Sequence, residues 1–157
     1  MIPAWLIIGI SAVLIGVGLN KLIGGDQHWF FRLRRPAWLT FEGAIPIIWI
    51  SIFIAGGWSA YNIWQTAPGT PQTWIFMAAY AILEILILAY TPIMCRLKSL
   101  RIGTIIGATG FFFGLGMSLF VFQASPTAFW LLLPYLLWSP IGTFVTWQMM
   151  QLNPADV

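Results

Sequence analysis

Glu42, Pro46, Trp49 and Phe53 follow one another at intervals of four, three and four, and Tyr135, Trp138, Gly142 and Val145 are likewise spaced by threes and fours. Such intervals place each set on one face of a helix. If the two faces meet, Trp49, Tyr135 and Trp138 line an apolar hollow with two indole N–H groups and one phenol as polar handles. That chemistry suits a large, flat, hydrophobic ligand. The alternative is a plain aromatic core, and periodicity alone does not separate the two.

The second chemical candidate is Glu84, the one acidic residue deep within an apolar stretch. A carboxylate inside a membrane costs roughly 2.5 to 3.5 kcal/mol on insertion scales and is a functional candidate by default. It could couple a small transporter to protons or, when protonated, donate a hydrogen bond to a carbonyl freed by a proline. A single carboxylate without a second polar partner makes a thin relay. Glu42, just after Thr40, reads instead as helix-start chemistry, an acid in a first turn with a threonine cap. His28, the sole histidine, stands beside Asp26 and reads as a solvated side chain or an axial contact to a metalloporphyrin. There is no glycine-rich phosphate loop, no Ser/His/Asp set and no cluster of metal ligands, which argues against a hydrolytic or phosphoryl-transfer enzyme and against a resident metal.

These residues must be held by membrane helices. Of 157 residues, 60% are hydrophobic and only 7% charged, where a soluble domain carries about a quarter charged. A hydrocarbon layer about 30 Å thick needs roughly 20 apolar residues per helix. Five stretches meet that length, at about 2–23, 43–64, 74–95, 102–122 and 128–150. They predict an all-α integral membrane protein, a five-helix bundle formed as a single domain over 1–157. No basic residue precedes the first apolar run and no small-residue cleavage site follows it, so the first helix is expected in the mature protein rather than as a signal peptide.

The net charge of +3 is no sign of nucleic-acid binding, because the seven basic residues are local. Lys21, Arg32, Arg34 and Arg35 lie between the first and second spans; Arg96, Lys98 and Arg101 lie between the third and fourth. Two spans separate the groups, which places both on one side, and the positive-inside bias makes that side cytoplasmic. The N-terminus is then outside and the C-terminus inside. The first loop, Trp29-Phe30-Phe31-Arg32-Leu33-Arg34-Arg35-Pro36-Ala37-Trp38, alternates rings with guanidinium groups. It suits a segment lying in the interface, rings down and arginines toward lipid phosphate, or one folded back over the bundle. Some of the ten tryptophans are expected as interfacial anchors.

Pro46, Pro92, Pro134 and Pro140 fall inside predicted spans, where each frees a backbone carbonyl and kinks the helix. Gly103, Gly107, Gly110 and Gly114 lay a groove along the fourth span, for packing within the chain or for a dimer seam. The lone Cys95 excludes an intrachain disulfide and reads as a packing residue.

Taken together, these residues resemble the TspO/MBR family of tryptophan-rich sensory and translocator proteins. The resemblance is carried by Trp29, Phe30, Leu33, Arg35, Pro36 and Trp38 in the first loop, Trp49 and Gly56 in the second span, Tyr80 with Thr91-Pro92 in the third, and Pro134-Tyr135-x-x-Trp138 with Leu152-Asn153 at the end. It implies a five-helix bundle, usually a homodimer, that binds tetrapyrroles such as porphyrin or haem as ligand, with no required cofactor, beneath the first loop. Some family members promote light-dependent porphyrin breakdown. Carried over, the pocket residues are Trp29, Phe30, Trp38, Trp49, Tyr135 and Trp138, to which the helix-face reading adds Phe53 and the intramembrane-carboxylate reading adds Glu84. The chain departs from the family at Leu83 and Ile87, where a Gln and an Asn are frequent, at Tyr90, often a Trp, and at Thr40-Phe41, usually Pro-Pro. These changes alter the polar end of the pocket. No basic residue follows Tyr135, so the sterol motif of the Leu/Val-x-Tyr-x-Lys/Arg type is missing.

Overall fold

A computed structural model describes residues 3–157; Met1 and Ile2, where the first span was expected to begin, lie outside the described residues. Five long helices are each apolar enough to cross a membrane: α1 (Ala4–Ile23), α3 (Ile45–Thr66, preceded by a 3-10 turn at Glu42–Ala44), α4 (Pro71–Leu97), α5 (Leu100–Ala124) and α6 (Pro126–Leu152). A short α2 (Gln27–Arg32) lies in the first loop, and no strand occurs among the described residues. The chain is an integral, multi-pass membrane protein.

The last three helices begin earlier than the apolar runs predict, because polar caps start them. Thr70 accepts from the Thr73 N–H, Ser99 from Ile102 and Ser125 from Ala128, each at 3.3 Å. Such caps satisfy N–H groups that would otherwise be orphaned at a helix start. Pro71 and Pro126 occupy first-turn positions, where a missing N–H is harmless. Pro46 belongs with them: it falls within a span, as expected, but in the first turn of α3 rather than in the helix interior, so it kinks nothing. Pro92, Pro134 and Pro140 are interior, as expected.

Helix α1 leans on α3 and α4, α4 packs on α5, and α6 packs on both α5 and α3. The glycine stripe of α5 is filled from within the chain. A Cβ on Gly103 would stand 2.5 Å from Met94 Sδ, one on Gly107 2.6 Å from Thr143 Oγ1, and one on Gly114 2.5 Å from the Tyr135 ring. Close helix approach of this kind is what small residues permit in lipid, where there is no hydrophobic drive between helices. The stripe is therefore an internal seam joining α5 to α4 and α6. Bulky residues such as Val13, Leu22, Ile47, Phe112 and Trp130 are exposed and face outward, as lipid-facing positions should. By contrast, none of α1 is buried.

Across the bundle, Ser59 Oγ donates to the Ala128 carbonyl at 2.6 Å and accepts from the Tyr80 hydroxyl at 2.6 Å. This joins α3, α4 and α6. Buried hydroxyl groups are in general satisfied in this way, by hydrogen bonds to neighbouring polar groups.

Candidate functional site

The first loop folds back over the bundle, and polar ties hold it there. Trp29 is buried, and its indole Nε1 donates to Asp156 Oδ1 at 2.6 Å. Asn153 accepts from the Arg34 N–H at 2.9 Å and donates to the Arg34 carbonyl at 3.1 Å. Leu33 and Leu39 turn inward and are buried. On the opposite flank Arg96 donates to the Ile23 carbonyl at 2.9 Å, and Lys98 pairs with Asp26 at 2.9 Å. That ion pair, with the hydrogen bond from the Trp29 backbone, holds the exposed Asp26 carboxyl below its ordinary range. All these ties gather the basic loops and the C-terminal turn (Pro154–Asp156) at one end of the bundle.

Arg35 does not reach for lipid phosphate as the loop pattern suggests. Its guanidinium lies 4.5 Å from the centre of the Phe30 ring, donates to the carbonyls of Phe30 and Leu33 at 2.9 and 2.8 Å, and pairs with Glu42 at 2.9 Å. The planar fork satisfies several acceptors at once, which lysine would not. Glu42 is the acid in the first turn of its 3-10 helix, as expected, but the threonine cap is not made: Phe41 occupies the cap position and no side-chain cap bond starts the turn.

Beneath this loop is a cavity of about 410 Å³, within the ordinary range for small-molecule sites. Phe30 and Arg35 border it from the loop, Pro46 and Trp49 from α3, Tyr90 from α4, and Tyr135 and Trp138 from α6. Both predicted faces thus meet: Glu42, Pro46 and Trp49 stand across from Tyr135, Trp138, Gly142 and Val145. Tyr90 donates its hydroxyl to Thr146, which in turn donates to the Gly142 carbonyl. Trp138 is only 8% exposed, and its Nε1 is a buried side-chain donor without a partner among the described residues. Leaving a buried donor unmade costs about 1–3 kcal/mol.

Four of the eight sequence-predicted site residues, Phe30, Trp49, Tyr135 and Trp138, line this cavity. Trp29 and Trp38 do not. Trp29 is consumed by the Asp156 tie. Trp38 is 41% exposed, donates from Nε1 to Gln148 at 2.5 Å and stacks on Phe144 at 6.1 Å. It reaches the site only through Phe41, whose ring contacts Trp38 and, edge-on at 6.3 Å, Trp138. Phe53 and Glu84 line a second cavity farther along the bundle, of about 590 Å³. His28 is exposed and lines neither. Sequence reading missed Asn153 as a clamp, Asp156, Gln148 and the Arg35–Glu42 pair. Only the last left a local signal, opposite charges flanking Pro36 and Trp38.

Known proteins resemble the chain over most of its length. The TspO/MBR family model matches residues 6–152. The tryptophan-rich protein TspO of Bacillus cereus is 26% identical over 128 residues, covering 82% of each chain. The translocator protein of Sus scrofa is 28% identical over 146 residues, 88% of this chain and 85% of its own. The tryptophan-rich sensory protein of Cereibacter sphaeroides is 25% identical over 127 residues, 81% of this chain and 78% of its own.

Proposed function

This chain belongs to the TspO/MBR family, and from that premise we propose that it is a membrane receptor that takes up a tetrapyrrole, porphyrin or haem, in the cavity beneath the first loop. The observation that carries the reading is Trp138 Nε1, a buried donor without a partner among the described residues, on the wall of a mainly apolar, aromatic-rich cavity whose loop side also carries Arg35 and Glu42. A flat ligand with an acceptor at its edge would stack on Trp49 and Trp138 and satisfy that donor. Affinity would come mainly from buried apolar area, at about 25 cal/mol per Å² before ordering costs. The tied loop lowers those costs, since little chain remains to be ordered on binding.

The test is titration of protoporphyrin into the purified protein, followed by the shift of the porphyrin absorption band. Trp49→Leu and Trp138→Leu should each weaken binding markedly. Unchanged curves in both would overturn the assignment.

The same reading places the basic end of the bundle in the cytoplasm and the Ala67–Thr70 turn outside. Thr70→Cys in a Cys95→Ala background should react with a membrane-impermeant maleimide on intact cells; reaction only after permeabilisation reverses the orientation. A homodimer would need a seam other than the α5 glycine stripe, which this chain fills itself. Mass determination in detergent tests whether one forms.

Transport by proton coupling draws less support. Among the described residues Glu84 is the only charged one lining its cavity, and no second carboxylate or base among them stands ready to pass a proton on.

A further inference from the structure

The larger cavity is walled by α1, α3, α4 and α6, at about 590 Å³. Its lining is almost entirely hydrocarbon, with Ile8 and Ile15 from α1, Phe53 from α3 and Met77 from α4. It is genuinely roomy: a Cβ added to Gly56 or Gly57, both on its wall, would meet nothing within 4 Å. It also lies against the one long helix that buries no residue in the bundle, so a ligand arriving through lipid meets little interlocked packing there.

Into this space Glu84 brings a single carboxyl. It sits midway along the 27-residue α4, about 20 Å from either end at 1.5 Å per residue. Neither of the ion pairs among the described residues involves it, and it has no hydrogen-bond partner among them. Every lysine and arginine of the chain is at the loop end. The other polar groups on its wall are neutral: the Tyr80 hydroxyl is taken by Ser59, and Ser11, Tyr135 and the Trp64 and Trp74 indoles offer no charge. An intramembrane carboxylate requires a partner, and the described residues supply no cationic one.

We propose that this cavity is a second binding site, separate from the one beneath the loop, for a lipophilic amine: a membrane-soluble molecule with an apolar body and one cationic nitrogen. The body fills the space beside Gly56 and Gly57, and the ammonium pairs with Glu84. Charge complementarity selects this occupant over a lipid acyl chain, which fills the hydrocarbon but leaves the carboxyl alone.

The experiment uses the full-length protein in phosphatidylcholine nanodiscs, with radiolabelled dodecylamine as probe, radiolabelled dodecanol as its neutral counterpart, and empty nanodiscs to subtract partitioning. Saturable dodecylamine binding near one per chain is expected, with dodecanol at least tenfold weaker. Glu84→Gln should lose at least tenfold in amine affinity and leave porphyrin binding intact. Gly56→Leu, which fills the space while keeping the charge, should lose it as well. Amine binding unaffected by Glu84→Gln, or matched by dodecanol, overturns the proposal and shows a lipid-tail groove. Amine binding abolished by Trp138→Leu but not by Gly56→Leu would overturn it by moving the amine to the other cavity. Loss of porphyrin binding alone would leave this site standing.

Discussion

Tyr135 stands where Gly114 has no side chain: a Cβ at Gly114 would fall 2.5 Å from Tyr135 Cε1. The phenol ring fits into the α5 groove and borders both cavities. The glycine stripe and the cavity beneath the loop are therefore one piece of packing.

Gly114→Ala should destabilise the protein by about 1–3 kcal/mol, the usual range for overpacking a filled core. Because the ring that must move is a wall of the site, porphyrin affinity should fall with it. Thermal unfolding in detergent and the porphyrin titration measure the two effects. Gly116→Ala, where a Cβ meets nothing within 4 Å, serves as the control and should change neither.

Trp138→Phe removes the indole N–H and keeps an aromatic ring. If the donor serves a ligand acceptor, porphyrin affinity should drop by roughly fivefold to tenfold, the worth of a hydrogen bond of about 1 kcal/mol. Stability without ligand should hold or rise, since an unpartnered buried donor is removed. Equal losses in stability and affinity would mark the indole as a packing residue only.

Asn153→Ala removes both hydrogen bonds to the Arg34 backbone. At about 0.5–1.5 kcal/mol each, their loss should let the first loop lift more often. Trypsin should then cut after Arg32 and Arg34 faster than in the parent, and ligand release should speed up. Asp156→Ala, which frees the Trp29 indole, should act in the same direction.

The Asp26–Lys98 pair predicts an acid sensitivity of that same loop. The Asp26 carboxyl is held below its ordinary value by the Lys98 hydrogen bond first and by the Trp29 N–H second. A depressed carboxylate contributes stability that is complete above its unfolded value, about 3.9, and is lost as pH falls through the lower folded value. Proteolysis by pepsin should therefore increase as pH drops below about 4, and Asp26→Asn should flatten that dependence. Both groups are exposed, so the effect should be local and shrink in high salt.

Much of the bundle was legible before any coordinates. Apolar runs of membrane length, and basic residues confined to two loops, locate five helices because hydrocarbon admits backbone only when its hydrogen bonds close within a helix. The shared faces of Trp49 with Pro46, and of Trp138 with Tyr135, follow from helical spacing alone. Helix ends were less legible: the apolar runs stop short of Thr70, Ser99 and Ser125, and the caps carry each helix beyond them.

What the sequence by itself determined is which residues share a helix, which face they occupy and which end of the bundle carries charge, because all three depend on neighbours within a turn or on transfer from water to lipid. Tertiary structure alone decided which faces confront each other. It turned Trp29 and Trp38 into loop fasteners through Asp156 and Gln148, set Phe53 and Glu84 in a separate cavity, and spent the α5 glycines on Tyr135, Thr143 and Met94. Those outcomes depend on the rotation of each helix about its axis, which is settled by contacts between residues far apart in the chain. No local spacing encodes that rotation.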